Sequence, residues 1–286
     1  MGAGLSGLTL ATRLRTHADV TVFEKSRGYG GRLATRRSPP FAFDHGAQFF
    51  TARSAAFREF LAPLIEAGVV DAWLARFAEL GAAERPLMRQ WVRDVPHYVG
   101  RPGMSAIGRQ LADGLDVRLT TRVAGLERAD GGWRLRDDGG KDLGAYDWVL
   151  ATAPAPQTAA LFPAEFDGQA RLAETRMLGC FALMLGFDEP PDLPFDAALV
   201  RGSRLSWISV DSSKPGRSTA PRLVALASNA WAEAHMDGPP EEVRRVLGDE
   251  LEGLIGRPLP TAAMASVHRW RYANIPTQSG PRSLLD

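Results

Sequence analysis

The feature that most constrains the fold of this chain is a set of glycines at its start. Gly2, Gly4 and Gly7 have the G-x-G-x-x-G spacing of a turn between a strand and a helix. Glycine is needed there because the chain bends sharply and its backbone must approach a pyrophosphate. Apolar residues at helical spacing follow over residues 5–15, and the first amides of this predicted helix would face the diphosphate. The pattern indicates a dinucleotide-binding turn.

Two further features agree with this interpretation. Residues 20–24 form a short apolar run that ends in Glu24, where a carboxylate can accept hydrogen bonds from ribose hydroxyls. Gly30, Gly31 and Arg32 then form a second glycine cluster that ends in a guanidinium. The alternative is a glycine-rich tail, but a tail would leave the predicted strand and the arginine unexplained.

Composition excludes several classes of protein. The chain has 286 residues, of which 45% are hydrophobic, enough to bury the core of one complex domain or two. Its formal net charge of +1 gives no global attraction to nucleic acid or to an anionic membrane. Cys180 is the only cysteine, so no internal disulfide can form, as is typical of a reducing cytoplasm.

Metal-binding and membrane patterns do not occur in the sequence. The 5 histidines lack the spacing of metal ligands, and no run of residues reads as a signal peptide or is apolar for long enough to span a bilayer. We therefore expect a cytoplasmic protein that binds no metal, no nucleic acid and no membrane.

Periodicity predicts helices and strands along the whole chain. Predicted helices cover residues 5–15, 54–67, 105–112 and 240–255. Predicted strands cover 20–24, 69–77, 88–95, 117–123, 132–136, 142–145, 147–154, 177–187, 205–210, 222–228 and 267–272. The run 147–154 is apolar and ends in small residues, which indicates a buried parallel strand beside a ligand crevice. The composition of 213–217 indicates an exposed loop.

A series of motifs in this sequence resembles the bacterial renalase-like branch of the flavin-containing amine oxidase superfamily. In chain order these motifs lie at residues 2–7, 24–26, 30–32, 44–48, 98–104, 212–217 and 268–273. The first three occur in many flavoproteins, whereas the last four are more specific to this branch. The resemblance implies an α/β fold of two domains, in which a Rossmann-like FAD-binding domain is interleaved with an antiparallel-sheet substrate domain.

The resemblance also predicts how the two domains share the chain. The FAD-binding domain would take residues 1–55, 98–160 and 267–286. The substrate domain would take residues 56–97 and 161–266.

What the resemblance implies for function is non-covalent FAD, oxidation of a small molecule by hydride transfer to the flavin, and O2 as the final acceptor. Dihydro-isomers of NAD(P) are the favoured substrates. One alternative is a relative that acts as a flavin amine oxidase or desaturase. Another is an inactive homologue that only binds a nucleotide or acts as a scaffold.

Cofactor contacts follow from the chemistry of the matching positions. The amides of Gly4, Ser6 and Gly7 and the guanidinium of Arg32 would bind the pyrophosphate. Glu24 would accept from the adenosine ribose.

Two further segments complete the predicted cofactor site. Small residues at 46–48 would let backbone donors reach the edge of the flavin ring, and Val123 would offer backbone contacts to adenine. The full set of predicted cofactor-binding residues is Gly2, Gly4, Ser6, Gly7, Glu24, Lys25, Gly30, Gly31, Arg32, Gly46, Ala47, Gln48 and Val123.

The predicted catalytic pocket contains Trp270, Tyr272 and His268. Alternation along a strand sends these three side chains to one face, where the two aromatic rings could form a wall over the flavin. The alternative is that both rings are core residues. His45 is expected to be a turn residue beside the cofactor, and Cys180 a packing residue.

The sequence departs from the renalase-like pattern at both ends. Only Met1 precedes Gly2, where relatives have an apolar strand, and the Gly-Asp flavin contact and closing helix that relatives carry do not follow Asp286. Relatives also tend to have a polar residue where Leu226 stands. A buried strand contributes roughly 1.5–3 kcal/mol for each large apolar side chain, so a chain without it would fold poorly and bind FAD weakly. We therefore expect this sequence to be a piece of a longer protein.

Overall fold

Helices and strands follow one another closely in the part of the chain that the computed structural model describes, residues 1–81, 86–129, 131–276 and 283–285. The helices are α1 (Leu5–Leu14), α2 (Ala55–Glu66), α3 (Ser105–Leu111), α4 (Ala155–Ala159), α5 (Gln169–Glu174), α6 (Asn229–Ala234) and α7 (Pro240–Ile255). The strands are β1 (Thr21–Phe23), β2 (Thr35–Ser38), β3 (Phe41–Asp44), β4 (Val70–Ala72), β5 (Arg76–Leu80), β6 (Leu87–Gln90), β7 (Tyr98–Gly100), β8 (Asp116–Arg118), β9 (Val123–Ala129), β10 (Gly132–Asp137), β11 (Asp142–Tyr146), β12 (Leu178–Gly186), β13 (Ala197–Val200), β14 (Leu205–Val210), β15 (Arg222–Ala227) and β16 (Met264–Asn274).

Contacts divide the chain into two units that each use separate stretches of sequence. The first unit comprises residues 1–32, 108–177 and 275–286, and the second comprises 33–107 and 178–274. These boundaries differ from those of the predicted domains at residues 33–55, 98–107, 161–177 and 267–274. The functional assignment of the domains stays a prediction, and residues 277–282 and 286 of its last segment lie outside the described residues.

The first unit begins with the predicted glycine turn and helix. Helix α1 buries Leu8 and Ala11 against Val22 of β1, and β1 pairs in parallel with β8. Strands β11, β10 and β9 form a separate antiparallel sheet in that order, which is the predicted meander. The expected helix and the strand after it are therefore confirmed.

Two strand predictions in this unit were wrong. Residues 147–153, all of them described, form no strand, because Met1 alone pairs with them: Met1 N donates to Leu150 O at 2.5 Å and Thr152 N donates to Met1 O at 3.0 Å. One paired residue is too short for a ladder. The expected strand 117–123 is interrupted, because Thr120 has a left-handed φ of 51°, so Val123 begins a new strand instead.

The second unit is built on a seven-stranded sheet in the order β16-β12-β15-β14-β13-β5-β6. All its neighbouring strands are antiparallel except β13 and β5, which run parallel. Helix α7 buries its predicted stripe, Val243, Leu247 and Leu251, against one face of this sheet and ends at Gly256 in the left-handed conformation. Side chains other than those of α7 lie on the opposite face of the sheet.

None of the helices in the described ranges is long and apolar enough to cross a membrane.

Candidate functional site

In the glycine turn of the first unit there is free space beside Gly4 but none beside Gly7. Gly4 precedes α1 and no side chain caps the helix, while a Cβ built on Gly4 would meet nothing within 4 Å. A Cβ on Gly7 would instead lie 2.0 Å from Gly2 O, so this glycine is required for the helix to pack on the turn. The turn therefore combines exposed amide donors with a positive helix end, the combination that binds phosphate.

The second glycine cluster lies directly beside the first. Gly30 N donates to Ala3 O at 2.8 Å, and Gly4 and Gly30 form a parallel bridge. Gly31 has a φ of +56°, and a Cβ there would lie 3.2 Å from the Cα of Gly4. Arg32, which is exposed, follows immediately. The two motifs that are apart in sequence are thus adjacent in space, as one cofactor site requires.

Glu24 is buried at the end of β1 and is fixed against the glycine turn. Its Oε2 accepts from Ala3 N at 2.7 Å, and its Oε1 accepts from the amide and the hydroxyl of Ser26 at 2.8 and 2.5 Å. Lys25 is exposed, and its Nζ donates to Gln157 Oε1 at 3.0 Å. The carboxylate therefore has the position expected of a ribose ligand, whereas its neighbour faces outward.

Val123 lies at the first residue of β9, opposite Asp137 of β10. Its half-buried side chain packs against the cluster formed by Phe23, Trp133 and Leu135. The side chain is thus a packing residue, and the predicted backbone contact to adenine stays a prediction.

In the second unit, His45, His268 and Trp270 form one group of rings. His45 stacks on Trp270 with centroids 5.2 Å apart, and the edge-to-face distances to His268 are 4.7 Å from His45 and 4.5 Å from Trp270. Trp270 Nε1 also donates to His45 O at 2.8 Å. Tyr272 is half-buried and has no ring contact with this group among the described residues. Strand β16 therefore brings together two of the three predicted pocket residues.

Both histidines of this ring group are held neutral at physiological pH. Burial, then the neighbouring His268 and Arg36, lower the pKa of His45 to about 4. Burial and the charge of Arg36 also lower the pKa of His268. Arg36, on β2, is thus the cation that acts on both rings. Spacing could not have revealed this arginine, because β2 and β16 are far apart in sequence.

A fully buried network of charges lies beside this group, and the sequence analysis missed it. Lys214 Nζ donates to Asp211 Oδ1 at 2.6 Å and lies 3.6 Å from Asp44 Oδ2. Arg217 also pairs with Asp44, and Arg222 pairs with Asp211 at 3.2 Å. Residues 213–217 form a loop in which Ser213 and Gly216 are exposed, as expected, but the expectation was wrong for Lys214, which is only 2% exposed and whose charge requires these partners.

Asp44 is ionised in this network. Burial alone would raise its pKa, but the charges of Lys214 and Arg217, with hydrogen bonds from the Met104 amide and the Thr35 hydroxyl, outweigh burial and hold the pKa below its usual value. Asp44 therefore joins its strand β3 to three other segments of the same unit.

The predicted flavin-edge segment is tied to the same network through Gln48. Its Oε1 accepts from Ser209 Oγ at 2.8 Å and from Lys214 Nζ at 3.2 Å, while its Nε2 donates to Asp44 O at 2.5 Å and Gly46 O at 2.9 Å. Gly46 and Ala47 beside it are half-buried. The side chain of Gln48 thus holds the segment in place, and the flavin contact of its backbone stays a prediction.

Cys180 is a packing residue, as expected. It is buried on β12 opposite Trp270, and burial raises the pKa of its thiol to about 12. Within the described ranges, no group of three or more His, Cys, Asp or Glu side chains is placed to hold a metal ion.

Comparison with known families agrees with this geometry. A family described as an NAD(P)-binding Rossmann-like domain matches residues 1–64, which contain the glycine turn and Glu24. A family described as flavin containing amine oxidoreductase matches residues 67–284. The chain is thus a Rossmann-like domain combined with an amine oxidase domain. It belongs to the flavin-containing amine oxidoreductase family and is a flavin-dependent oxidoreductase acting on a small molecule.

Solved structures share this fold at low sequence identity. A putative protoporphyrinogen oxidase from Exiguobacterium sp. 255-15 superposes with a TM-score of 0.77 at 14% identity, over 98% of this chain and 87% of that one. Cyclohexylamine oxidase from Brevibacterium oxydans IH-35A has a TM-score of 0.70 at 13% identity, over 94% and 83%. An oxidoreductase from Methanosarcina mazei has a TM-score of 0.68 at 14% identity, over 95% and 89%.

The residues of the first unit fit the flavin dinucleotide that this family implies. The open side of Gly4, the uncapped start of α1 and the fixed carboxylate of Glu24 match the phosphates and ribose of such a cofactor.

Glycine substitutions test this cradle. Gly4→Ala should cost at most about 1 kcal/mol of unfolding free energy, because its Cβ meets no atom, yet weaken FAD binding roughly tenfold or more by blocking approach of the pyrophosphate. Gly7→Ala should destabilise the apoprotein by roughly 1–3 kcal/mol through its clash with Gly2 O. Urea unfolding and FAD titration measure the two quantities.

The control is Gly248→Ala in α7, where a Cβ also meets nothing. It should raise stability by up to about 1 kcal/mol and leave FAD affinity unchanged. Unchanged FAD affinity in Gly4→Ala would contradict the proposed approach of the cofactor to this turn.

Lys214→Met should lower the unfolding free energy by about 3–5 kcal/mol, because it removes one cation from a buried network and leaves carboxylates under-compensated. The matched control is Arg245→Met, which removes an exposed pair with Asp249 and should cost about 0.5 kcal/mol or less. Chemical denaturation of both variants gives the comparison, and equal losses would show that the network does not stabilise the fold.

Stability should fall as the pH is lowered through the range between the ordinary histidine pKa, about 6.5, and the pKa of about 4 held by His45. The unfolded chain takes up a proton in that range while folded His45 stays neutral, so His45 contributes up to about 3 kcal/mol that is present above the range and lost below it. His45→Gln should flatten this dependence in denaturation curves. The exposed His17, replaced by Gln, should leave it intact.

Proposed function

We propose that this protein is a renalase-like enzyme that binds FAD non-covalently and oxidises dihydro-isomers of NAD(P), with O2 as the electron acceptor. The observation that carries the proposal is the charge beside the ring group of the second unit. His45, His268 and Trp270 supply flat, neutral surfaces, and the cation Arg36 acts on both histidines. A flat ring joined to phosphates suits these surroundings.

The same charges disfavour a protonated amine as substrate. The carboxylate nearest to His45 in sequence, Asp44, is buried and paired with Lys214 and Arg217. It is therefore not open to hold an ammonium group, while Arg36 would repel one. A dinucleotide carries negative charge, so Arg36 would attract it.

Non-covalent attachment of FAD is supported by the only cysteine of the chain. Cys180 is buried, its thiol has a raised pKa of about 12, and it lies within hydrogen-bonding distance of backbone oxygens. A thiol in this state does not form a thioether readily. FAD would instead be held by the cradle of Gly4, Glu24 and Gly30.

The role of the protein in this reaction is to bind and orient. Bound flavin supplies the hydride acceptor. Trp270, stacked on the buried His45, would stack against the reduced ring of the substrate, and His268, being neutral, would offer a hydrogen bond without adding charge. Tyr272 stays a predicted pocket residue, and because its ring does not contact this group it would reach the substrate from another side.

A nicotinamide substrate and a reduced cysteine both suit the cytoplasm, which we propose as the location.

A second candidate is an amine oxidase or desaturase relative. The similarity of fold to cyclohexylamine oxidase favours it. A third candidate, an inactive nucleotide-binding or scaffold protein, would retain the cradle and lack turnover.

Anaerobic mixing separates these candidates. Protein loaded with FAD should lose its visible flavin absorption when a dihydro-isomer of NAD or NADP is added and regain it on admission of O2. Amines should have no effect. Bleaching by amines alone would establish the second candidate, and bleaching by neither would favour the third. Acid precipitation should release the flavin into the supernatant, since it is not covalently bound.

Arg36→Gln should raise the KM for the dihydro-isomers by about 2- to 5-fold and reduce its dependence on salt, because it removes an exposed attractive charge. Arg37→Gln is the matched control, since Arg37 is the next residue of β2, is also exposed, and its side chain points to the other face. Equal effects of the two variants would argue against substrate attraction by Arg36.

A further inference from the structure

The second unit contains a cavity of about 380 Å³ that no motif of the sequence analysis included. Its volume lies in the range of small-molecule sites. Aromatic rings dominate its lining, and Arg89 and Gln90 supply polar groups. The rings that line it are Phe49, Phe77, Trp91, His97 and Trp207.

These rings support one another as a rigid wall. Phe49 lies 4.9 Å from Trp91, 5.2 Å from His97 and 5.1 Å from Trp207, measured between centroids. Trp91 stacks on His97 at 3.7 Å and on Phe77 at 5.2 Å. The wall is thus preformed, so a flat ligand would lose little free energy in ordering it.

Trp207 supplies a hydrogen-bond donor that lacks a partner. The residue is only 8% exposed, and its Nε1 is buried without a hydrogen bond to any described residue. A buried N–H without an acceptor costs free energy, so this donor points to an acceptor that a ligand brings. Among planar groups, the ring nitrogens of a purine are such acceptors.

The register of the sheet places this cavity on the same face as the ring group of His45, His268 and Trp270. Trp207 of β14 lies opposite Leu226, Leu226 opposite Ala182, and Ala182 opposite His268. Directly opposed residues share a face, and three strand spacings amount to about 14 Å. Two aromatic sites therefore lie along one row of the sheet.

We propose that this cavity binds the adenine ring of the dinucleotide substrate, while the ring group around His268 takes the dihydronicotinamide ring. The inference rests on the proposed function, because only a dinucleotide has two flat rings joined by a flexible diphosphate. The adenine would stack on the aromatic wall and accept a hydrogen bond from Trp207 Nε1. Arg89, half-exposed at the cavity, would face the phosphates.

The cation at the cavity decides against the other ligand that aromatic walls bind, a quaternary or protonated amine. The guanidinium of Arg89 already lies 4.9 Å over the ring of Phe77 and also pairs with Glu79. The ring of Phe77 thus already has a cation over its face, whereas the exposed Arg89 can still donate hydrogen bonds to a nucleotide phosphate.

Direct binding of AMP to the FAD-loaded protein tests the site. AMP should bind and quench tryptophan fluorescence, and Trp207→Phe, which keeps a ring and removes the N–H, should weaken AMP roughly 2- to 10-fold. Phe49→Leu, which keeps an apolar side chain and removes a stacking ring, should weaken it by about 5-fold or more. Adenosine should bind more weakly than AMP if Arg89 meets the phosphate.

The matched control is Trp231→Phe. Trp231 lies on α6 and packs with the core on the other face of the same sheet, so its substitution should leave AMP affinity unchanged. Wild-type protein that does not bind AMP, or an affinity that Trp207→Phe and Phe49→Leu leave unchanged, would overturn the proposal.

Turnover separates the adenine site from the proposed function. The dihydro-isomers of nicotinamide mononucleotide lack adenine, so their KM should exceed that of the dinucleotide isomers, and Trp207→Phe should shrink this difference in KM. Oxidation of both isomers with equal KM would refute the adenine site and leave the proposed function intact. AMP binding that depends on Trp207, without any oxidation of the isomers, would refute the proposed function and leave the adenine site.

Discussion

The second unit depends on one buried set of charges. Asp44 and Asp211 are completely enclosed together with Lys214, Arg217 and Arg222. Charges without solvent must be paired at close range, and removal of one partner is costly. The network therefore fixes the relative positions of the strand that carries Asp44, the turn after β14 and the start of β15. Backbone carbonyls also accept from the two arginines: Gly100 O from Arg217, and Ser218 O and Ala220 O from Arg222.

This constraint determines the ring group beside it. Asp44 is followed directly by His45, and Gln48 accepts from Lys214, so residues 45–48 are anchored to the buried charges at both ends. His45 is consequently held against Trp270 in surroundings that keep it uncharged. The exposed Arg36 supplies a positive charge that acts on both histidines. A neutral stacking surface with a cation at its side is thus a result of how the carboxylate of Asp44 is paired.

Local pattern was enough for part of this structure. The glycine turn, α1, α7 and β16 follow from spacing and periodicity, and the adjacency of Gly4 and Gly30 follows from the motif. Interactions across long separations could not be predicted in this way. Residues 213–217 have the composition of an exposed loop, whereas the burial of Lys214 depends on its pairing with Asp211 and with Asp44, which is far away in sequence. Likewise, the apolar run at 147–154 predicted a strand, but residues 147–153 form none in the structure.

Under the proposed function, the row of opposed residues across the sheet would give Leu226 a role in specificity. Leu226 and Ala182 lie between Trp207 and His268, one apolar and one small. A polar residue at 226 would need a hydrogen-bond partner on this face and would favour a polar group of the ligand there. Leucine needs no hydrogen-bond partner, so Leu226 and Ala182 would contribute only apolar contacts and the exclusion of water between the two aromatic sites. Under the proposed function, selectivity would then come from the two ends of the row, where the rings, the Trp207 donor and the charges of Arg36 and Arg89 lie.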